Sequence, residues 1–399
     1  MTESYPAILD RELVVTSCGG DVSLICNSSS CRYYFWIGPN RAADVSDLII
    51  DNNLRLSILG GSFSIKSWVE GVPYVHAVTV LDPNEYVKSL VSRVKDVIEG
   101  KEIVFGFSGG KDSIAALYVI SKLREYIDFK LRVIYVHIPY LESIRNVRFV
   151  EDVGRILNTD IEIVEVSKRV MKKNLKWFGM PRRGFRWCTY LKVKPIRRLV
   201  RGREGVIEAL ADRVFESLKR AWRLLNRIES GLIASKKRFL PVQSLTILDV
   251  IYLNRVLGLK HPAYDEGLPR VSCDLCPFKV LYELGSNYID KSDDPGVIEL
   301  GIRRSWRRLG NSKLRFDDYV RYALWRFNPR EATLVNRVRY YLRSIEGINY
   351  VSDLFFRNLI RASWDNVYEL RKSAKYVTNN ELVELIRYGI NSGSKVLIP

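Results

Sequence analysis

The run Val104-Phe105-Gly106-Phe107, followed by Ser108-Gly109-Gly110-Lys111-Asp112-Ser113 and a helical pattern from Ile114 onward, constrains this chain more than any other segment. A short apolar run entering a glycine turn reads as a buried strand. Two consecutive glycines permit positive φ and let the backbone approach a ligand closely. Amides that open a helix point outward, and the helix dipole favours an anion there. Ser108 and Ser113 offer hydroxyl donors, and Lys111 offers a positive charge. Asp112 is placed to cap the helix or to orient the loop and a metal. Neither G-x-x-x-x-G-K-[ST] nor G-x-G-x-x-G is present, so a Walker loop and a dinucleotide fingerprint are excluded.

A chain of 399 residues exceeds one typical core, which predicts two or three domains. Residues 1–85 carry short β-like runs (SLIC, YYFWIG, LSILGGSFSI, YVHAVTVLD) broken by turn residues and read as a small β-rich N-terminal domain. Residues 86–280 alternate helical segments with the strand-like runs KEIVFGF, LRVIYVHIPY, IEIVEV and IEAL. That alternation predicts βαβ units and a parallel α/β sheet with helices on both faces. Residues 281–399 read as a basic helical C-terminal domain, with helical periodicity through VIELGIRRSWRRLG, EATLVNRVRYYLRSI, YVSDLFFRNLIRASWDNVYELRKSA and NNELVELIRYG.

The formal net charge of +18 predicts a polyanionic partner, nucleic acid or a highly phosphorylated small molecule. The charge is clustered. Residues 167–203 contain no Asp or Glu and include Arg182, Arg183 and Arg186, interleaved with Trp177, Phe178, Phe185 and Trp187. Unpaired charges are costly in a core, so this run must face solvent or a polyanion. Aromatic rings beside cations suit stacked bases, and the three arginines suit equally well the phosphate or sulfate of a small nucleotide. A second basic–aromatic run holds Arg303, Arg304, Trp306, Arg307, Arg308, Lys313 and Arg315. No apolar run is long enough to cross a bilayer, and the N-terminus lacks a secretory pattern, so no membrane partner and a cytoplasmic location are expected.

All six loop positions match the S-G-G-x-D-S motif, and on it the chain resembles the PP-loop ATP pyrophosphatases. Over about 100–280 it resembles the phosphoadenosine phosphosulfate (PAPS) reductase family within that class. Arg213-x-x-Glu216-Ser217-x-x-Arg220 is similar to the family's segment after a strand. Asp249-Val250, His261-Pro262-x-Tyr264-Asp265-x-Gly267 and Arg270-x-x-Cys273-x-x-Cys276-Pro277 are similar to its closing block. Two departures stand out. Leu245 and Leu248 occupy the region where the family often has Trp, and His137-Ile138-Pro139 replaces its acidic residue after the second strand.

The resemblance implies a PP-loop fold that binds ATP or a sulfonucleotide, with Mg2+, through Ser108, Gly109, Gly110, Lys111, Asp112, Ser113, His137, Arg213, Glu216 and Arg220. Lys111, Asp112 and Cys188 are the implied catalytic residues. Cys188 and the pair Cys273/Cys276 resemble a cluster-binding set with one cysteine replaced by Trp187. They imply a [4Fe-4S] cluster with one open iron, with Zn2+ held by a further ligand such as His261, or no metal, as the alternatives. The C-x7-C-x4-C spacing of Cys18, Cys26 and Cys31 matches no common zinc pattern and reads as isolated buried thiols.

Three enzymatic readings and one non-enzymatic reading follow. The first is an ATP-dependent sulfurtransferase acting on RNA, of the tRNA-thiolating type, with a sulfur-donor protein as partner. The second is a PAPS or APS reductase, against which stands the absence of any cysteine after Cys276. The third is a sulfate adenylyltransferase-like enzyme. The non-enzymatic reading is a nucleic-acid-binding protein that senses a nucleotide.

Overall fold

The computed structural model describes residues 3–58, 60–69, 71–310 and 314–399, with the side chain of Cys18 excluded. Lys313 of the second basic run lies outside the described residues.

The central sheet is ordered Ile161–Glu165, Lys130–His137, Glu102–Phe107, Val206–Ala209, Arg238–Phe239, Ala234–Ser235. The first five strands run parallel and the last pairs antiparallel. Strand Glu102–Phe107 sits inside and is covered on both faces. Its period-2 alternation sends Ile103, Phe105 and Phe107 to the core under helices Pro83–Ile98 and Lys111–Leu123. Val104 goes to the other face, where Ile196, Leu199 and Val200 of helix Trp187–Val200 pack. Gly106 makes that approach possible, because a Cβ there would lie 2.8 Å from Ile196 Cδ1. The four expected strands and the helices between them form the expected α/β sheet.

The N-terminal strands Tyr5–Leu9, Glu12–Gly19, Val22–Cys26, Cys31–Gly38 and Arg41–Asp44 form an antiparallel sheet. Its sixth strand, Tyr350–Ser352, comes from far down the chain. Sequence periodicity runs helix through Tyr350. The open backbone donors of Arg41–Asp44 pair with it instead, and Arg41 stacks 3.5 Å over the Tyr350 ring. The helix starts three residues later, as Asp353–Asp365.

Phe35 and Trp36 of this sheet share one apolar core with Tyr282, Trp325 and Phe356. At its centre Asp21 meets Arg326 (2.8 Å) and Arg339, and all three side chains are fully buried. Asp249 makes the other long-range tie. It completes a capping box with Thr246, accepts from Thr79, and pairs with Arg371 at 2.7 Å.

The N-terminal thiols require a correction. Cys26 and Cys31 are register partners across a hairpin and form a disulfide, so they are not isolated thiols. The free cysteines among the described residues are Cys188, Cys273 and Cys276. No helix among the described residues is long and apolar enough to cross a membrane.

Candidate functional site

Strand Glu102–Phe107 ends at Ser108, and the chain turns through Gly109 at φ +74° into helix Lys111–Leu123. The turn is tied internally. Ser108 Oγ lies 3.0 Å from Ser113 Oγ, and Ser113 Oγ donates to the Gly110 carbonyl at 2.9 Å. Gly110 is the N-cap and has no side chain to satisfy the helix's first amides. Lys111 N–H donates to the Tyr264 hydroxyl at 3.1 Å. The rest of the first turn faces a cleft of about 370 Å³. Its lining includes Ser108, Gly110, Ser113, Glu216, Arg220, Arg270 and Cys276. Unsatisfied amides at a helix start are a ready anion site.

The charged side chains beneath the loop form a closed network. Lys111 is only 2% exposed, and its Nζ reaches Glu3 Oε2 at 2.6 Å and Asp112 Oδ2 at 3.1 Å. Arg213 is fully buried. It donates to Asp112, to Glu3, and to the Leu245 carbonyl at 2.9 Å. Burial works against the Asp112 charge, yet Arg213 and Lys111 hold its carboxyl down at about 2. Glu216 goes the other way. Burial and the Asp112 charge push it up to about 7, opposed by Arg220. Arg220 bridges Glu216 and Asp212, the latter at 3.1 Å. Lys111 and Arg213 therefore support the loop from below with their charges already matched.

Glu3 and Tyr5 were not legible as site residues. They come from the first described residues, carry no motif, and reach the cleft only because the N-terminal sheet packs there. Tyr264 was visible within H-P-x-Y-D-x-G, but its contact with the loop amide was not.

His137 does not line the cleft. It ends its strand, buried, with Nε2 on the Glu142 carbonyl at 3.1 Å and Nδ1 toward Glu165 at 3.3 Å. Arg183 is also no free anion clamp. It donates to the carbonyls of Pro277 and Gly20, each at 2.9 Å, and stacks 4.8 Å over Phe327. Trp187 is buried and donates to the Gly179 carbonyl. Arg186 is exposed and lies 4.8 Å over the Phe278 ring, and Arg182 is half-buried, 5.8 Å over the Phe185 ring.

Cys276 stands in the cleft wall, whereas Cys188 and Cys273 are not part of that wall. The three thiols are near enough to act on one another electrostatically. Burial, then the Cys276 charge, pushes Cys188 up. Burial and Glu142 push Cys273 up, with smaller effects from Cys276 and Cys188. Among the described residues, however, no group of three or more His, Cys, Asp or Glu side chains is arranged to hold a metal ion. His261 does not supply a zinc ligand here. Its Nδ1 accepts from Ala263 N–H at 3.0 Å, its ring packs on Phe149, and burial with the Arg145 charge lowers its pKa to about 4. The expected cluster or zinc site thus has its thiols in one neighbourhood but lacks a ligating geometry.

Residues 102–279 match the family model described as the phosphoadenosine phosphosulfate reductase domain. No curated protein matches the chain. Among solved structures, the chain is similar to the U34-tRNA thiolase NcsA from Methanococcus maripaludis with its [4Fe-4S] cluster. The identity is 16%, the coverage 66% of this chain and 79% of that one, and the TM-score 0.34. It is also similar to NMN synthetase from Francisella tularensis, at 12% identity, 67% and 98% coverage and TM-score 0.32. NAD+ synthetase from Burkholderia pseudomallei matches at 20% identity, 57% and 92% coverage and TM-score 0.30.

Proposed function

On the premise that residues 102–279 form a phosphoadenosine phosphosulfate reductase domain of the PP-loop class, we propose that this protein uses ATP to adenylate an RNA acceptor and then replaces the activated oxygen with sulfur. One observation carries the reading: the cleft that receives the open helix amides of the Ser108–Ser113 loop also has the free Cys276 in its wall. A phosphate cradle and a sulfur-bearing side chain therefore share one chamber.

In this scheme the loop amides and the helix dipole hold the phosphates of ATP, which enters with Mg2+. An acceptor oxygen attacks the α-phosphorus, the bond to pyrophosphate breaks, and the amides take up the charge of the leaving group. A sulfur-donor protein leaves a persulfide on Cys276; its outer sulfur attacks the adenylated carbon and expels AMP, and a thiolate of Cys188 or Cys273 then cleaves the S–S bond, leaving thiolated RNA and a protein disulfide that an external thiol reductant reopens. Lys111, Asp112 and Arg213 act as positioning residues that fix the loop. Glu216 and Arg220 line the cleft beside it.

The test is pyrophosphate release from ATP with and without RNA. A Cβ at Gly110 would meet only ordinary contacts, the nearest at 3.6 Å, so Gly110→Asp fits while placing a carboxylate at the cradle. That variant is expected to lose at least about a hundredfold in rate. Cys276→Ala is expected to keep pyrophosphate release and to lose sulfur incorporation. RNA-independent release of sulfite from a sulfonucleotide, with no pyrophosphate from ATP, would overturn the reading in favour of a reductase.

A further inference from the structure

The two basic–aromatic runs, more than a hundred residues apart in sequence, meet in space. Helix Lys168–Phe178 packs along helix Pro295–Arg307 through small residues. Gly179, at φ +71°, lies so close that a Cβ would sit 2.3 Å from Ser305 Oγ, and a Cβ on Gly301 would sit 2.9 Å from Leu175. Ser305 Oγ accepts from Met180 N–H at 2.8 Å. Arg308 donates to the carbonyls of Phe178 (2.8 Å) and Trp177 (2.6 Å), and Arg304 donates to Trp177 (3.3 Å). These contacts use one or two of the five donors on each guanidinium and leave the others outward.

The charge of this surface is only partly neutralised from within, by Lys172 with Asp294 at 3.3 Å and Arg303 with Glu299 at 2.5 Å. Among the described residues, no carboxylate lies within ion-pair distance of Lys173, Lys176, Arg182, Arg304, Arg307 or Arg308. Burial, Arg304 and Arg182 all depress the Arg308 pKa, so these cations crowd one another. Beside them stand exposed rings: Trp177 is 61% exposed, Phe178 and Phe185 meet edge to face at 5.7 Å, and Arg182 lies 5.8 Å over the Phe185 ring. The surface runs on toward the cleft. Arg186 covers Phe278, and Arg183 binds the Pro277 carbonyl, both directly after Cys276 in the wall.

We propose that this joint surface docks an unpaired stretch of RNA, with a backbone phosphate at Arg182, Arg304 and Arg308 and a base stacked on Trp177. Crowded cations in excess of the carboxylates beside them match a polyanion, and exposed rings match bases whose own faces are free. A duplex hides those faces within its stack. The inference deepens the RNA reading above, naming the surface that would lead a strand to the chamber.

The experiment uses the full chain and fluorescein-labelled single-stranded RNA in anisotropy titrations over a range of salt. Trp177→Ala is expected to weaken binding about tenfold without lowering the melting temperature. The double variant Arg304→Gln/Arg308→Gln is expected to flatten the slope of log K against log salt by about 0.7, the share of one phosphate. Duplex RNA should compete poorly. Equal binding by wild type and both variants, or equal competition by duplex RNA, overturns the docking surface. Equal capture of wild type and Trp177→Ala by anionic vesicles, with no RNA binding, overturns it in favour of a membrane. Loss of RNA binding in the variants, with wild-type pyrophosphate release indifferent to RNA, upholds the surface and defeats the proposed reaction instead.

Discussion

Arg182 and Arg183 are neighbours in one loop and belong to two different electrostatic regions. Arg183 joins the junction where the N-terminal sheet meets the C-terminal helices, close to Asp21, Arg326 and Arg339. There every guanidinium is desolvated and held by carbonyls or by the single carboxylate of Asp21. Burial and the Arg326 charge push the Arg183 pKa below its ordinary range. Arg182 is half-buried over the Phe185 ring at 5.8 Å, close enough to Arg308 for their charges to repel, and no carboxylate answers it among the described residues. The contrast teaches that a run of arginines in a sequence has no single meaning. Burial makes a partner obligatory and the arginine structural. Exposure leaves the charge available to a ligand.

The largest expected effect falls on the junction. Asp21→Ala leaves two fully buried guanidiniums without their carboxylate and should cost about 3–5 kcal/mol in urea unfolding. A loss under about 1 kcal/mol would mean the junction is wet, and the contrast would fail. Next comes the adjacent pair. Arg183→Gln should cost about 1–3 kcal/mol, since it uncouples two buried carbonyls. Arg182→Gln should stay within about 0.5 kcal/mol. The reverse order would break the comparison outright.

The cleft lies between these extremes, because its cations are matched by carboxylates yet border an open chamber. Glu3→Gln removes the anion shared by Lys111 and Arg213 and should tighten tripolyphosphate binding several-fold in calorimetry. Weaker binding would show that Glu3 aids the ligand. The smallest effect concerns pH. Glu216, with its carboxyl at about 7, gains a negative charge in the cleft beside the Ser108–Ser113 loop as pH rises from 6 to 8. ATP affinity should fall roughly threefold over that interval, and Glu216→Gln should flatten the profile. An unchanged slope in Glu216→Gln would place the titrating group elsewhere.

Much of the parallel sheet was legible because its strands are continuous apolar runs bounded by glycine turns and helical segments. The turn was legible because two glycines between an apolar run and a helical pattern mark a strand-to-helix corner. Tyr350–Ser352 misled because its residues suit a helix, and only the open edge of Arg41–Asp44 makes it a strand. His137 misled because its position after the second strand implied the cleft, while its ring turns to Glu142 and Glu165. Cys26 and Cys31 carried no signal of pairing until the hairpin register brought them opposite each other.

Taken alone, the sequence determined the alternation of strands and helices, the strand-to-helix glycine turn at Ser108–Ser113 and the excess of positive charge. These are local or additive properties, set by periodicity, glycine placement and counting. Only the tertiary structure decided which charges are free. Glu3 reaching Lys111, Asp21 reaching Arg326 and helix Pro295–Arg307 reaching helix Lys168–Phe178 are contacts across more than a hundred residues. The energy of a charge depends on its solvent exposure and its neighbours in space, and neither quantity is written in the order of residues along the chain.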